Sequence, residues 1–158
     1  MKNLLFEGTM KYSKMFEDGI VKTVSEKVIV EAISITEAES RIIEEMTPFI
    51  EGEFSIQSVR RANIAEVFYS TDENADKFYK CKLFFITLDE KSGTEKKTQV
   101  FMLVQAADLR DAVKKLDEGM KGTMVDYVIA SVSDANIVDV YPYPQGEAKD
   151  KDAEDDTE

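Results

Sequence analysis

The stretch Val30-Glu-Ala-Ile-Ser-Ile-Thr-Glu-Ala38 returns 74 positions later as Val104-Gln-Ala-Ala-Asp-Leu-Arg-Asp-Ala112. Both read as the apolar end of a strand, a short oxygen-bearing residue suited to a helix N-cap, and the onset of a helix. The likeness spreads outward from there. Residues 19–46 align without gaps on 93–120, with Gly19/Gly93, Lys22/Lys96, Ala38/Ala112 and Met46/Met120 among the identities. At an offset of 73, residues 56–68 fall on 129–141, and seven of the thirteen pairs are identical, including Ala62-Asn-Ile64 against Ala135-Asn-Ile137. Average composition would give roughly one identity in fifteen per pair. Shared amphipathic patterning accounts for apolar matches, but not for a matched asparagine. A repeated ββαβ block is therefore expected, and two blocks are too few for a solenoid. The expectation is a single pseudo-symmetric domain over residues 1–143, with repeat 1 at about 4–70 and repeat 2 at about 77–143.

Within the first block, residues 4–15 alternate: Leu4, Phe6, Met10 and Tyr12 share one parity, and Glu7, Thr9, Lys11 and Ser13 the other. That is a half-buried strand. Glu17-Asp-Gly19 supplies a hairpin turn, and residues 20–32 form a second strand. Ser34 with Glu37 three residues on makes a capping box. Ile35, Ala38, Ile42 and Met46 form one helical stripe, which Thr47-Pro48 ends. Residues 53–69 read as one long third strand whose apolar parity slips near Arg60-Arg-Ala-Asn63, the mark of a bulge or bend. The second block repeats this with strands at 77–88 and 95–107 around Glu90-Lys-Ser-Gly93, and an Asp108-capped helix bearing Leu109, Ala112, Leu116 and Met120. Gly122 ends that helix, and a strand at 125–141 slips parity near Asp134-Ala-Asn136. The predicted class is α+β: an internally duplicated unit, antiparallel-rich, with two helices packed on one side. The pattern leaves open whether the blocks form one sheet or two.

With 158 residues, 43% hydrophobic, the chain can bury a core unaided. Its single cysteine, Cys81, can make no intrachain disulfide, which points to a reducing interior. No secretory leader or membrane-spanning window is seen, so a soluble, cytoplasmic protein is expected. Net charge is −12, of which the last twelve residues, Glu147-Ala-Lys-Asp-Lys-Asp-Ala-Glu-Asp-Asp-Thr-Glu158, carry −5 from seven acids and two lysines. Residues 144–158 read as a disordered acidic tail. A generally cationic surface is excluded, whereas a local one is not.

The chemistry on offer is sparse. There is no histidine, so imidazole acid–base catalysis and His metal ligation are absent. Cys81 lies between Tyr79 and Leu83 within a strand, as a small buried hydrophobe does. No glycine-rich phosphate loop opens a helix, and Asp18-Gly19 lacks a calcium loop's oxygen ligands. No cofactor and no enzyme are expected; carboxylates around a divalent metal would need a convergence of acids that the spacing does not suggest.

What remains is a set of bases interleaved with aromatics on strands: Lys11, Tyr12, Arg60, Arg61, Tyr79, Lys80 and Lys82, with Phe78 and Phe84 beside them. Open sheets with such side chains stack bases and neutralise phosphates; core aromatics alternating with solubilising lysines give the same pattern. Together with the acidic tail this suggests single-stranded nucleic-acid binding, the tail competing for the basic surface or recruiting a replication protein. The alternative is an acidic module that engages a host protein or mimics DNA.

Phe6-Glu7, Glu17-Asp-Gly19, Ala32-Ile-Ser-Ile-Thr-Glu-Ala-Glu39 and Asp89-Glu-Lys-Ser-Gly93 resemble an uncharacterised domain-of-unknown-function family of short proteins from gut bacteria and their phages. The resemblance spans residues 4–143. It implies a phage or mobile-element setting and assigns no residue a role.

Overall fold

The computed structural model describes residues 4–144. In chain order the elements are β1 (Leu4–Met15), β2 (Val21–Ala32), α1 (Ile35–Met46), a 3-10 turn (Thr47–Phe49), β3 (Phe54–Arg61), β4 (Glu66–Phe68), β5 (Lys77–Leu88), β6 (Glu95–Ala106), α2 (Leu109–Met120), β7 (Asp126–Asp134) and β8 (Ile137–Tyr141). The chain divides into two compact units. One takes in the chain through Arg61 and resumes at Val140, and the other runs Ala62–Asp139.

The first unit is built on a sheet ordered β3-β1-β2-β8. The hairpin pairs Phe6 with Val30 and Gly8 with Val28, so the apolar parities of both strands share one face, which α1 covers. Phe6, Met10, Val28, Val30, Ala32, Ala38, Ile42 and Met46 close a dry core there. Each of the larger side chains, Val, Ile, Met and Phe, contributes roughly 1.5–3 kcal/mol by leaving water, and the alanines less. A Cβ at Gly8 would overlap the Cδ1 end of Ile42, so a larger residue there would make that side chain turn aside. Gly19 turns the hairpin at φ 82°, with the Ile20 amide donating to Asp18 Oδ1 at 3.0 Å.

The second unit has the sheet order β4-β6-β5-β7. Tyr79, Cys81 and Leu83 of β5 join Met102, Val104 and Ala106 of β6 under Ala112, Leu116 and Met120 of α2. Both helices start directly after their expected capping residues, at Ile35 and Leu109. Ser34 Oγ accepts from the Glu37 amide at 3.1 Å, and Asp108 Oδ1 from the Asp111 amide at 2.8 Å. Only the first half of the expected capping box forms at α1, since Glu37 Oε1 is enclosed without a hydrogen-bond partner.

The long third strands differ from expectation. Residues 53–69 split into β3, which pairs with β1, and a three-residue β4, which runs parallel to β6 in the other sheet. Residues 125–141 likewise split into β7, beside β5, and β8, beside β2. The parity slips near 60–63 and 134–136 thus mark where the chain leaves one sheet for the other, and Asn136 makes the second crossing at φ 54°. True bulges lie earlier. Ser58 and Ile56 face adjacent residues Thr9 and Met10, and Ser131 and Ile129 face Lys82 and Leu83, leaving Gln57 and Ala130 as the extra residues. Among the described residues no helix is long and apolar enough to cross a membrane.

Candidate nucleic-acid interface

Strand alternation in β5 sends Tyr79, Cys81, Leu83 and Phe85 toward α2 and leaves Phe78, Lys80, Lys82 and Phe84 on the helix-free face. The β5–β6 hairpin pairs Lys82 with Phe101, which therefore joins that face. Lys80 Nζ lies 4.6 Å from the Phe101 ring centre and Lys82 Nζ 5.6 Å from that of Phe84. On the other side of β5, Ser133 stands opposite Lys80 and Ser131 opposite Lys82. The ion pairs seen among the described residues take up neither lysine. Two ammonium groups against two ring faces, flanked by hydroxyls, form a patch that can meet an anion carrying a planar group.

The other expected residues lie elsewhere. Tyr79 is 6% exposed and belongs to the α2-side core, so its ring offers no stacking face. Tyr12 packs on the core of the first unit, and its hydroxyl donates to the Glu26 carboxylate. Arg60 lies 3.6 Å from Glu7, which Lys27 also approaches at 3.4 Å, so its charge is already partnered. Arg61 is exposed opposite Phe6, at the end of β3. Lys11 is exposed on the helix-free face of its own sheet, opposite Ser25 and Ser55. Of the seven residues, only Lys80 and Lys82 share a face with the half-buried rings of Phe84 and Phe101, and Phe78 and Leu103 on that face are themselves buried. Phe101 was missed, although it was within reach: a hairpin centred on Glu90-Lys-Ser-Gly93 sets Lys82 opposite residue 101.

Other reactive groups are held in structural roles. Burial pushes the fully enclosed Cys81 thiol up to about 11, far from thiolate formation near neutrality. Lys115 Nζ is gripped by Asp111 Oδ2 at 2.9 Å, Asp72 Oδ2 at 3.0 Å and Ser70 Oγ at 2.6 Å. Burial works to lower its pKa, but the bonds to the two carboxylates outweigh that and hold it above the ordinary value. Asp111 is lowered by the Ala107 amide and by Lys115. A lysine held protonated with three oxygen partners is a clamp, whereas a nucleophile or base needs the opposite shift. The cleft beside it, about 490 Å³, is lined by residues 67–72 with Glu118 and Gly119, so the segment that follows β4 forms one of its walls. Among the described residues no group of three or more His, Cys, Asp or Glu could hold a metal ion.

Residues 4–143 match the family model described as a domain of unknown function, DUF4494. The chain belongs to that family. The DUF4494 match takes in both units up to the end of β8, and its description names no activity. No curated protein matches this DUF4494 chain.

Proposed function

We propose that this chain is a non-enzymatic, internally duplicated binding module whose second sheet engages single-stranded nucleic acid, in the DNA metabolism of a phage or mobile element. The observation that carries the reading is the pair of lysines, Lys80 and Lys82, each against a ring on one helix-free face and neither in an ion pair of the described residues. In this reading the ammonium groups neutralise phosphates while unstacked bases lie on Phe84 and Phe101. The acidic tail, which lies outside the described residues from 145 on, competes for the same face through its charge of −5. The duplication is supported by equal helices 74 positions apart, by N-caps at Ser34 and Asp108, and by bulges at Gln57 and Ala130.

The test is fluorescence anisotropy with a labelled oligonucleotide, using the full chain and one ending at residue 146. Two phosphate contacts give a slope of log affinity on log salt of about −1.4. The reading expects salt-sensitive binding that tightens on removal of the tail and vanishes in Lys80→Glu/Lys82→Glu. Absence of binding at low salt without the tail refutes it, as does binding that the double substitution leaves unchanged.

A second reading, an acidic module that binds a host protein or mimics DNA, is favoured by the helix ends. Neither α1 nor α2 carries a base in its last turn, while Glu44, Glu45, Asp117 and Glu118 stand near the negative pole, each costing about 0.3–1 kcal/mol. A stoichiometric partner recovered from host lysate, with no oligonucleotide binding, decides for this reading.

A further inference from the structure

The two units differ in the groove between the helix and its adjoining outer strand. In the second unit the groove is bridged: Tyr127 on β7 donates a hydrogen bond from its hydroxyl to Asp117 Oδ1 on α2, at 2.7 Å. In the first unit the corresponding positions, 73 and 74 residues earlier, are Phe54 on β3 and Ile43 on α1. The strand position is equivalent in register too, since Phe54 lies opposite Tyr12 as Tyr127 lies opposite Phe85. A phenyl ring and an aliphatic chain cannot make that bridge. A cleft of about 410 Å³ opens instead, with Ile43, Phe54 and Ile56 as an apolar floor and Glu39, Gly52 and Glu53 around it. Ile43 is 44% exposed there, although it sits on a helix whose other apolar residues include the buried Ile42 and Met46.

We propose that this cleft is a docking site for a protein segment that presents one bulky apolar side chain flanked by lysine or arginine. The volume falls within the range of about 300–1,000 Å³ that holds side chains or small ligands. The apolar floor selects a hydrophobic anchor. The rim selects charge: Glu39 and Glu53 are exposed, and neither joins an ion pair among the described residues. Two unpaired carboxylates beside an apolar floor attract a cationic flank and repel both a phosphate backbone and an anionic lipid surface. The site lies on the first unit and uses none of the residues of the proposed nucleic-acid face.

The experiment uses the full chain with isoleucine methyl groups labelled for NMR. The probe is acetyl-Gly-Lys-Leu-Lys-Gly-amide, titrated to millimolar, alongside its Glu-Leu-Glu and Lys-Ser-Lys counterparts and a short oligonucleotide. The Lys-Leu-Lys peptide should displace the Ile43 and Ile56 methyl signals, and the other three should not. Affinity should fall at least tenfold in Glu39→Lys/Glu53→Lys. It should fall as far in Ile43→Asp/Phe54→Tyr, which rebuilds the bridge of the second unit and so keeps the fold; an unchanged melting temperature checks that. Unmoved methyls, equal response to the Glu-Leu-Glu or Lys-Ser-Lys peptide, displacement by the oligonucleotide, or full affinity in both variants each overturns the proposal.

Discussion

Gly119→Ala tests how β4 is held in the second sheet. A Cβ on Gly119 would stand 2.8 Å from Cδ1 and Cε1 of Phe68 and 2.9 Å from its Cγ. Non-bonded carbons rest at about 3.5–4.0 Å, so the ring would have to retreat by roughly 1 Å. It has little freedom to do so. Phe68 packs against the α2-side core and ends a three-residue strand whose register is Glu66 with Met102, Val67 with Leu103 and Phe68 with Val104. Overpacking of this kind costs about 1–3 kcal/mol. Alanine gains up to about 1 kcal/mol over glycine in a helix interior, and less at the penultimate position of α2. The net expectation is a loss of about 0.5–2 kcal/mol in urea unfolding, with faster amide exchange confined to residues 67–70. In a Phe68→Leu background the flat ring is gone, and the same Gly119→Ala change should turn neutral or stabilising, a coupling that a double-mutant cycle reads directly. If Gly119→Ala alone stabilises the protein and leaves exchange at residues 67–70 untouched, the close approach of ring to helix is refuted.

Arg41 is 12% exposed and donates to the carbonyls of Glu31, Tyr141 and Pro142. Arg41→Ala should cost about 2–3 kcal/mol and speed exchange of the Tyr143 amide, which donates to Glu31 Oε1 at 2.9 Å. The Tyr127 phenol is pushed up to about 12, first by its hydrogen bond to Asp117 and then by burial. A raised folded pKa means its stabilisation is whole below the ordinary value of 10.0 and is lost as pH rises through 12. Phenolate absorbance should show this late titration disappearing in Asp117→Asn. Cys81, fully buried with its thiol raised to about 11, should resist Ellman's reagent in mildly alkaline buffer until the protein unfolds; rapid labelling of the native protein would contradict its enclosure.

Much of the local structure was legible because it depends on near neighbours. The stripe Ile35, Ala38, Ile42, Met46 needs only a period of 3.6, and three of its four residues are buried. Ser34 and Asp108 cap because a short oxygen-bearing side chain can reach an amide three residues on. Gly19 and Gly93 turn their hairpins at positive φ, 82° and 71°. The destination of β4 and β8 was illegible for a physical reason. Alternation reports which face of a strand is buried, and that signal is the same whichever sheet supplies the cover. Val67 and Phe68 look alike docked beside β6 or continued along β3. The face of the candidate residues was illegible for the same reason: Tyr79 and Lys80 alternate as a binding face would, yet parity cannot say which of the two lies beneath the helix. Only the pairing of Tyr79 with Val104, inside a core that includes Leu116, decides that.

The side chains that secure the two short strands show how equivalent positions can share a task while differing in chemistry. Position 41 and its counterpart 115 each grip the segment that follows the short strand of their unit, and positions 31 and 105 each accept one of its amides. Glu31 takes the Tyr143 amide, and Gln105 takes that of Ser70 at 3.0 Å. In the first unit the segment offers carbonyl oxygens at Tyr141 and Pro142 and the Tyr143 ring, 4.9 Å from the guanidinium. A planar fork that can donate to several carbonyls while stacking on a ring suits that set, and a single ammonium does not. In the second unit the segment offers the Asp72 carboxylate and the Ser70 hydroxyl, which with Asp111 converge on one point. There a compact ammonium suffices. Each clamp is thus matched to the chain it holds, so the short strands are distinguished less by their own few residues than by the polar segment that comes after them.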